Sequence, residues 1–204
     1  MKIDSTLQNI FNAKNSLGKS DKGYYFYNQE DKPQNIFFLR KGLVGLFRST
    51  SDGTERFLRL FYPGCIFGHR SYLAEQNYHA SALALENCEY SFLPVDEYLK
   101  FANSDSKHLL KMAKHLAFDL GNAEARLTDQ IGKSAFQRIA EAIYFLKLKS
   151  PSHQWTRKDV ADFSGSTIES VARAITALEQ DGVLLRKGRS IEILDNTKYY
   201  NLLK

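Results

Sequence analysis

The 204-residue chain is 43% hydrophobic and 25% charged, an ordinary globular balance that excludes a fibrous or largely disordered protein. Its 28 basic and 23 acidic residues leave a net charge of +5, which permits a polyanionic partner without requiring one. Cys65 and Cys88 are the only cysteines, so neither a disulfide framework nor a cluster held by four thiolates is supported; with no secretory leader and no run approaching about 18 apolar residues, a soluble cytoplasmic protein without membrane contact is expected.

Along the chain, Ile3, Leu7, Ile10 and Phe11 predict a short amphipathic helix. Short aromatic and β-branched runs follow at 24–27, 36–39, 43–47, 56–61, 80–85 and 90–93, broken by Gly42, Ser51-Asp52-Gly53 and Tyr62-Pro63-Gly64. Six or more closely spaced strands without a long helix between them predict an antiparallel jelly roll or barrel. Residues 64–82 interrupt that rhythm as a loop or short helix. His69, Arg70, Tyr72, Tyr78, His79 and Ser81 are the candidate effector-pocket residues there, the alternative being ordinary loop residues with solvated tips. Two histidines without a carboxylate at ligand spacing make no metal site. No Gly-rich phosphate loop, G-x-S-x-G or H-E-x-x-H motif is present, so no catalytic residue is assigned.

A short helix over 94–101 should bring Tyr98, Leu99 and Phe101 against the barrel. Over 105–131, Leu109, Ala113, Leu116, Leu120, Ala123 and Leu127 recur at steps of four and three. This heptad stripe predicts a helix that pairs with a second copy, packing on the chain's own barrel being the alternative. Met112, Ala117 and Phe118 flank it and are expected to face the barrel, whereas His108 and His115 are expected to be exposed or lightly packed. A break at Ile131-Gly132-Lys133 reads as a hinge. Ser134 then opens a helix with Phe136, Ile139, Ala140, Ile143 and Leu146 on its inner side, ending near Ser150-Pro151.

The stretch after Trp155 is the most informative. Thr156 with Asp159, and Ser166 with Glu169, predict two helices that each start with a capping box, and Gly165 allows the sharp turn between them. Val160 and Phe163 face Val171, Ala174, Ile175 and Leu178, and a hairpin with the basic tip Arg186-Lys187-Gly188-Arg189-Ser190 follows. This is a helix-turn-helix with a wing. Such a unit sets the start of its second helix in the DNA major groove, which singles out Thr167, Ile168, Glu169, Ser170 and Arg173. The expected fold is therefore α+β: a sensor barrel over 1–103, a dimerisation helix and hinge over 104–132, and a winged helix-turn-helix over 133–204.

The order of parts resembles the cyclic-nucleotide receptor and fumarate-nitrate regulator (Crp/Fnr) family of bacterial transcription factors. In the first half, KGYYFYNQEDKPQNIFFLRKGLVGLFRSTSDGTERFLRLFYPGCIFG and ALALENCEYSFLPVDEY are similar to that family's cyclic-nucleotide-binding barrel and the helix after it. In the second, TRKDVADFSGSTIESVARAITALEQDGVLLRKGRSIEILD is similar through both helices and the wing. The resemblance implies a homodimer on near-palindromic promoter DNA, with RNA polymerase as a further partner. It departs where cyclic AMP is held: His69 stands at the glutamate position, and His79 and Ala80 at those of the arginine and hydroxyl, so loss of the bidentate donor argues against cyclic AMP. The oxygen-sensing branch's cysteine cluster is absent, haem has no confirmed ligand pair, and no cofactor is expected.

For base reading, Glu169 and Arg173 match the family's glutamate and arginine, while Ile168 stands where cyclic-AMP-responsive members carry another arginine. Ser164, Thr167, Ser170, Lys187 and Arg189 are assigned to phosphates. Either an unidentified small molecule is the effector or the barrel serves as a scaffold. The competing function is a sensing or scaffold protein whose helix-turn-helix binds another protein.

Overall fold

The computed structural model describes Phe11 and residues 16–51, 53–104, 106–188 and 190–203. Ile3, Leu7, Ile10 and Asp52 lie outside these residues, as do the side chains of Phe101 and His108. The chain forms two compact units, Met1–Ala123 and Glu124–Lys204.

The first unit holds β1 (Leu17–Ser20), β2 (Tyr25–Tyr27), β3 (Asn35–Lys41), β4 (Val44–Ser49), β5 (Glu55–Phe61), β6 (Ile66–Phe67), α1 (His69–Leu73), β7 (Ser81–Ala84), β8 (Cys88–Pro94) and α2 (Val95–Ser104). Two four-stranded antiparallel sheets result, in the orders β1-β8-β3-β6 and β2-β7-β4-β5. The chain crosses from one to the other at Gly42. Its φ is +90°, and an added Cβ would stand 2.5 Å from the Asn87 carbonyl oxygen, so a side chain is excluded by conformation and by space.

β3 explains how the sheets are filled. Its run Ile36-Phe37-Phe38-Leu39 does not alternate with polar residues because both faces are covered. Phe37 and Leu39 enter a core shared with Val44 and Leu46 of the other sheet, with Tyr27, Phe67 and Tyr78. Ile36 and Phe38 enter a second cluster with Tyr98 of α2 and Met112 of α3 (Ser106–Gly132). Each such side chain contributes roughly 1.5–3 kcal/mol by leaving water. β1 and β6 exceed the expected strands; each is short and depends on a partner, β8 for the one and β3 for the other.

In the second unit, α4 (Ala135–Lys149) starts at the expected Ser134 with a complete capping box. α5 (Arg157–Ser164) starts at Thr156, whose hydroxyl accepts from the Asp159 backbone N–H at 3.1 Å while the Asp159 carboxylate accepts from the Thr156 N–H at 2.8 Å. α6 (Ile168–Gln180) buries Val171, Ala174, Ile175 and Leu178, the stripe expected for one helix face. β9 (Leu184–Lys187) and β10 (Ser190–Ile193) form the antiparallel hairpin. An additional helix, α7 (Asn196–Leu202), is capped by Asp195, and the buried Tyr199 hydroxyl donates to the Ala140 carbonyl at 2.9 Å.

Leu178 is fully buried, so Leu178→Ala should cost about 2–5 kcal/mol. Tyr199→Phe removes one hydrogen bond and keeps the ring, at about 1 kcal/mol. Trp155 is the only tryptophan and lies in this unit, so urea unfolding followed by its fluorescence checks both values. A Leu178→Ala loss no greater than that of Tyr199→Phe would contradict this packing.

Candidate nucleic-acid interface and sensor residues

The start of α6 is built by the turn before it. Gly165 sits at φ +63°, and the Ser166 N–H donates to the Ala161 carbonyl at 2.9 Å, which ties Ser166 to the end of α5. Thr167 is therefore the first residue able to cap α6. Its hydroxyl accepts from the Ser170 N–H at 3.2 Å, which corrects the expected Ser166–Glu169 box; the Ser166 hydroxyl has no partner.

Ile168, Glu169 and Arg173 are exposed beside this cap, Ile168 by 46% although it is apolar. Arg173 donates to the Ser170 hydroxyl at 3.0 Å. The Glu169 carboxylate accepts from its own backbone N–H and from the Thr167 hydroxyl, and these bonds hold its pKa below the usual range, with the Arg173 charge adding to them. Thr167 is exposed and Ser170 half-buried on the same turn. Ser164 departs from expectation: it is buried, its hydroxyl donates to the Ala161 carbonyl at 3.3 Å, and it offers solvent no donor. The Lys187 side chain and Arg189 lie outside the described residues. Arg186, read from the sequence only as part of the basic hairpin tip, pairs with Glu179 of α6 at 2.6 Å and so fastens the hairpin to that helix.

The six sensor residues do not converge on one cavity. His69 opens α1 with only 4% of its surface exposed and both ring nitrogens without partners. Its ring lies 5.6 Å from that of His115, which is also buried and therefore not the exposed or lightly packed residue that the sequence suggests. Asp119 stands 3.6 Å from His115 Nε2 and accepts from Arg59 at 2.6 Å. Burial, with His115 alongside, pushes His69 down to about 3, and burial likewise lowers His115. Both imidazoles are neutral at neutral pH.

Arg70, by contrast, is exposed, and its guanidinium donates to His79 Nε2 at 2.7 Å. That bond makes Nε2 the unprotonated nitrogen. Burial, then Arg70, holds His79 down to about 4. Tyr72 is half-buried against the α2 and α3 cluster, while the Ser81 hydroxyl accepts from the Gln29 N–H at 2.8 Å. Tyr78 stacks on Tyr27 at 3.7 Å and donates to the Asn35 carbonyl at 3.1 Å. It alone of the six lines a cleft of about 340 Å³, whose polar wall is Asp31, Lys32, Gln34 and Asn35 on and beside the β2–β3 loop. Among the described residues, no group of three or more His, Cys, Asp or Glu is arranged to hold a metal ion, and no helix is long and apolar enough to cross a membrane.

On α3, Leu109, Ala113, Leu120 and Ala123 of the first unit are exposed, as is Leu127 of the second; Leu120 and Leu127 show 60% and 63% of their surface. Leu116 instead packs partly against the sheet-side cluster that buries Met112. Ala117 and Phe118, expected to face that cluster, are exposed.

Residues 19–105 match the cyclic nucleotide-binding domain family, and residues 137–198 match the Crp-like helix-turn-helix domain family. The cyclic AMP receptor protein of Thermus thermophilus is 30% identical over 174 residues, covering 84% of this chain and 81% of that protein. FixK2 from Bradyrhizobium japonicum is similar in structure with a TM-score of 0.80 at 22% identity, over 91% of this chain and 96% of that one. A CRP/FNR-family transcriptional regulator from Thermus thermophilus gives a TM-score of 0.77 at 24% identity, over 92% and 97% of the two chains.

The neutral, buried His69 makes the first unit sensitive to acid. The unfolded chain takes up its proton near pH 6.5, whereas the folded chain resists until about 3. Stability from this residue is thus complete above pH 6.5 and is lost as pH falls toward 3, with His115 acting in the same direction. Calorimetric midpoints should fall between about pH 7 and 4.5, and fall less steeply in His69→Phe. An equal slope in that variant, or a midpoint that rises on acidification, would show that the imidazole is not buried in neutral form.

Proposed function

The chain belongs to the Crp/Fnr family of transcription regulators, and from this we propose that it binds a near-palindromic promoter site as a homodimer, each copy setting α6 in the major groove. It is a DNA-binding regulator and not an enzyme. The observation that carries the proposal is the division of α6 into a buried apolar stripe and an exposed N-terminal turn bearing Ile168, Glu169 and Arg173. Ile168, Glu169 and Arg173 thus stand together on the solvent side of the first turns of α6, beside the capping Thr167.

In this reading Arg173 pairs with a guanine edge, Glu169 accepts from cytosine, and Ile168 meets a thymine methyl. The low pKa of Glu169 keeps it an acceptor throughout the neutral range. Thr167 and Ser170 meet phosphates at the helix N-terminus, joined from the wing by Lys187 and Arg189. Ser164 is left out because its hydroxyl is buried.

The three-part division into a sensor over 1–103, a dimerisation helix with its joint over 104–132 and a DNA-binding unit over 133–204 is part of the proposal. The two antiparallel sheets sharing one core support a jelly-roll barrel. The exposed leucines of α3 support pairing with a second copy, and fewer than three full heptads mean that other contacts assist. The proposal includes a sensor that does not use cyclic AMP: His69 is turned into the interior beside His115, and His79, a neutral ring, stands where the likeness calls for an arginine, with the Arg70 guanidinium engaged by its Nε2. An unidentified small molecule remains its expected effector, RNA polymerase a further partner, and the cytoplasm the place of action.

Selection from random duplexes should recover two related half-sites whose centres lie about one helical turn apart. Arg173→Ala should then weaken binding roughly 10- to 100-fold and relax the preference at one base of each half-site. Failure of the unaltered chain to select any sequence, with capture of a specific protein instead, would favour the competing assembly role. Sedimentation should find a dimer that Leu120→Glu with Leu127→Glu converts to monomers; a dimer that survives both changes would remove α3 as the pairing element.

A further inference from the structure

The joint between α3 and α4 has the sequence of a hinge, yet it is crossed by bonds from both sides. Lys133 Nζ pairs with Asp129 at 2.9 Å on α3 and with Glu141 at 2.6 Å on α4. Arg138 Nη1 donates to the Lys133 carbonyl at 2.7 Å, and its Nε donates to the Ser164 carbonyl at 3.2 Å. These groups join the joint to the end of α5.

α3 also reaches that point directly. Arg126 donates to the Phe163 carbonyl at 3.2 Å while its guanidinium lies 4.6 Å over the Phe163 ring, and Gln130 donates to the Ser164 carbonyl at 3.2 Å. The last carbonyls of a helix have no partner within it, and they carry the negative end of its dipole. Two guanidinium groups and one amide meet them here. Gln130 also fills the space beside Gly165, where an added Cβ would lie 2.8 Å from its Oε1. All of these groups belong to the unit Glu124–Lys204.

We infer that Arg126 and Gln130 are positioning residues for DNA binding: they brace the α5–α6 turn against the last turns of α3, so that the joint works as a strut instead of a hinge. They touch no DNA in this scheme. The inference rests on the proposed dimer, because only in a dimer paired through α3 does the direction of α6 from α3 set the distance between the two reading heads. A strut holds that distance to one value, whereas a hinge tolerates several.

The test compares the affinity of the full chain for its selected duplex with that for the same duplex lengthened by one base pair between the half-sites, and includes a single half-site. Arg126→Ala and Gln130→Met should each lower the ratio of native to lengthened affinity by roughly fivefold or more. Single half-site binding should change less than about twofold, and the Trp155-monitored unfolding midpoint should stay close to that of the unaltered chain. A purely structural role would weaken all three duplexes together and leave the ratio where it was. If Arg126→Ala does not fold, Gln130→Met decides alone, since it keeps the volume and removes only the amide. An unchanged ratio in Gln130→Met overturns the inference while leaving the dimeric reader intact. An unaltered chain that selects no paired half-sites overturns the dimer proposal itself.

Discussion

What α6 can present to solvent is set by the few residues that turn the chain out of α5. Reversing direction there leaves the carbonyls of Phe163 and Ser164 without helical partners, and Gly165 must take a left-handed conformation. Both demands are met within one unit, the carbonyls by Arg126, Gln130 and Arg138, the conformation by the absence of a Cβ. With the turn held, Val171, Ala174, Ile175 and Leu178 reach the core, and Ile168, Glu169 and Arg173 are carried to the opposite side. The proposed reading surface is thus the complement of a packing requirement.

The sheet-bearing unit follows the same logic with a different occupant of its interior. Where β3 faces the second sheet, the aromatic rings of Phe26, Phe37 and Phe67 pack against one another alongside Leu39, Val44 and Leu46. His69 and His115 are buried at the α1–α3 contact of this unit as neutral rings, and Asp119 is neutralised by Arg59. His79 is likewise held neutral by burial and by the exposed Arg70 guanidinium that donates to its Nε2 at 2.7 Å. The cleft beside Tyr27 and Tyr78 lies elsewhere, on the β2–β3 loop side.

Local chemistry is legible in the sequence; features made by long-range contact are not. Thr156 with Asp159, Gly165, and the stripe from Val171 to Leu178 each announce themselves within one or two helical turns. Ser166 is misassigned from sequence because two hydroxyls stand side by side, and only the bond from its N–H to Ala161 decides which of them caps α6. β1, β6 and α7 are too short to have a period of their own and exist through their partners. His115 carries no mark of burial in its neighbours, since what buries it is α1, over forty positions earlier. Leu116 shows the limit of a heptad: its spacing matches the exposed stripe, yet part of it packs inward beside Met112. The exposure of Ile168, Glu169 and Arg173 follows from their position along α6, whereas the cleft by Tyr78 depends on its stacking with Tyr27, fifty-one residues away.

Entry of α6 into the major groove of two half-sites at once is tested most directly by cleavage mapping. A DNA-cleaving chelate attached through Ile168→Cys, on a chain whose own Cys65 and Cys88 are buried, would cut only what the start of α6 faces. The account predicts two clusters of cuts centred in the major groove and separated by about one helical turn, related by a two-fold axis. A single cluster, cuts centred in the minor groove, or cuts scattered without register along the duplex would contradict it.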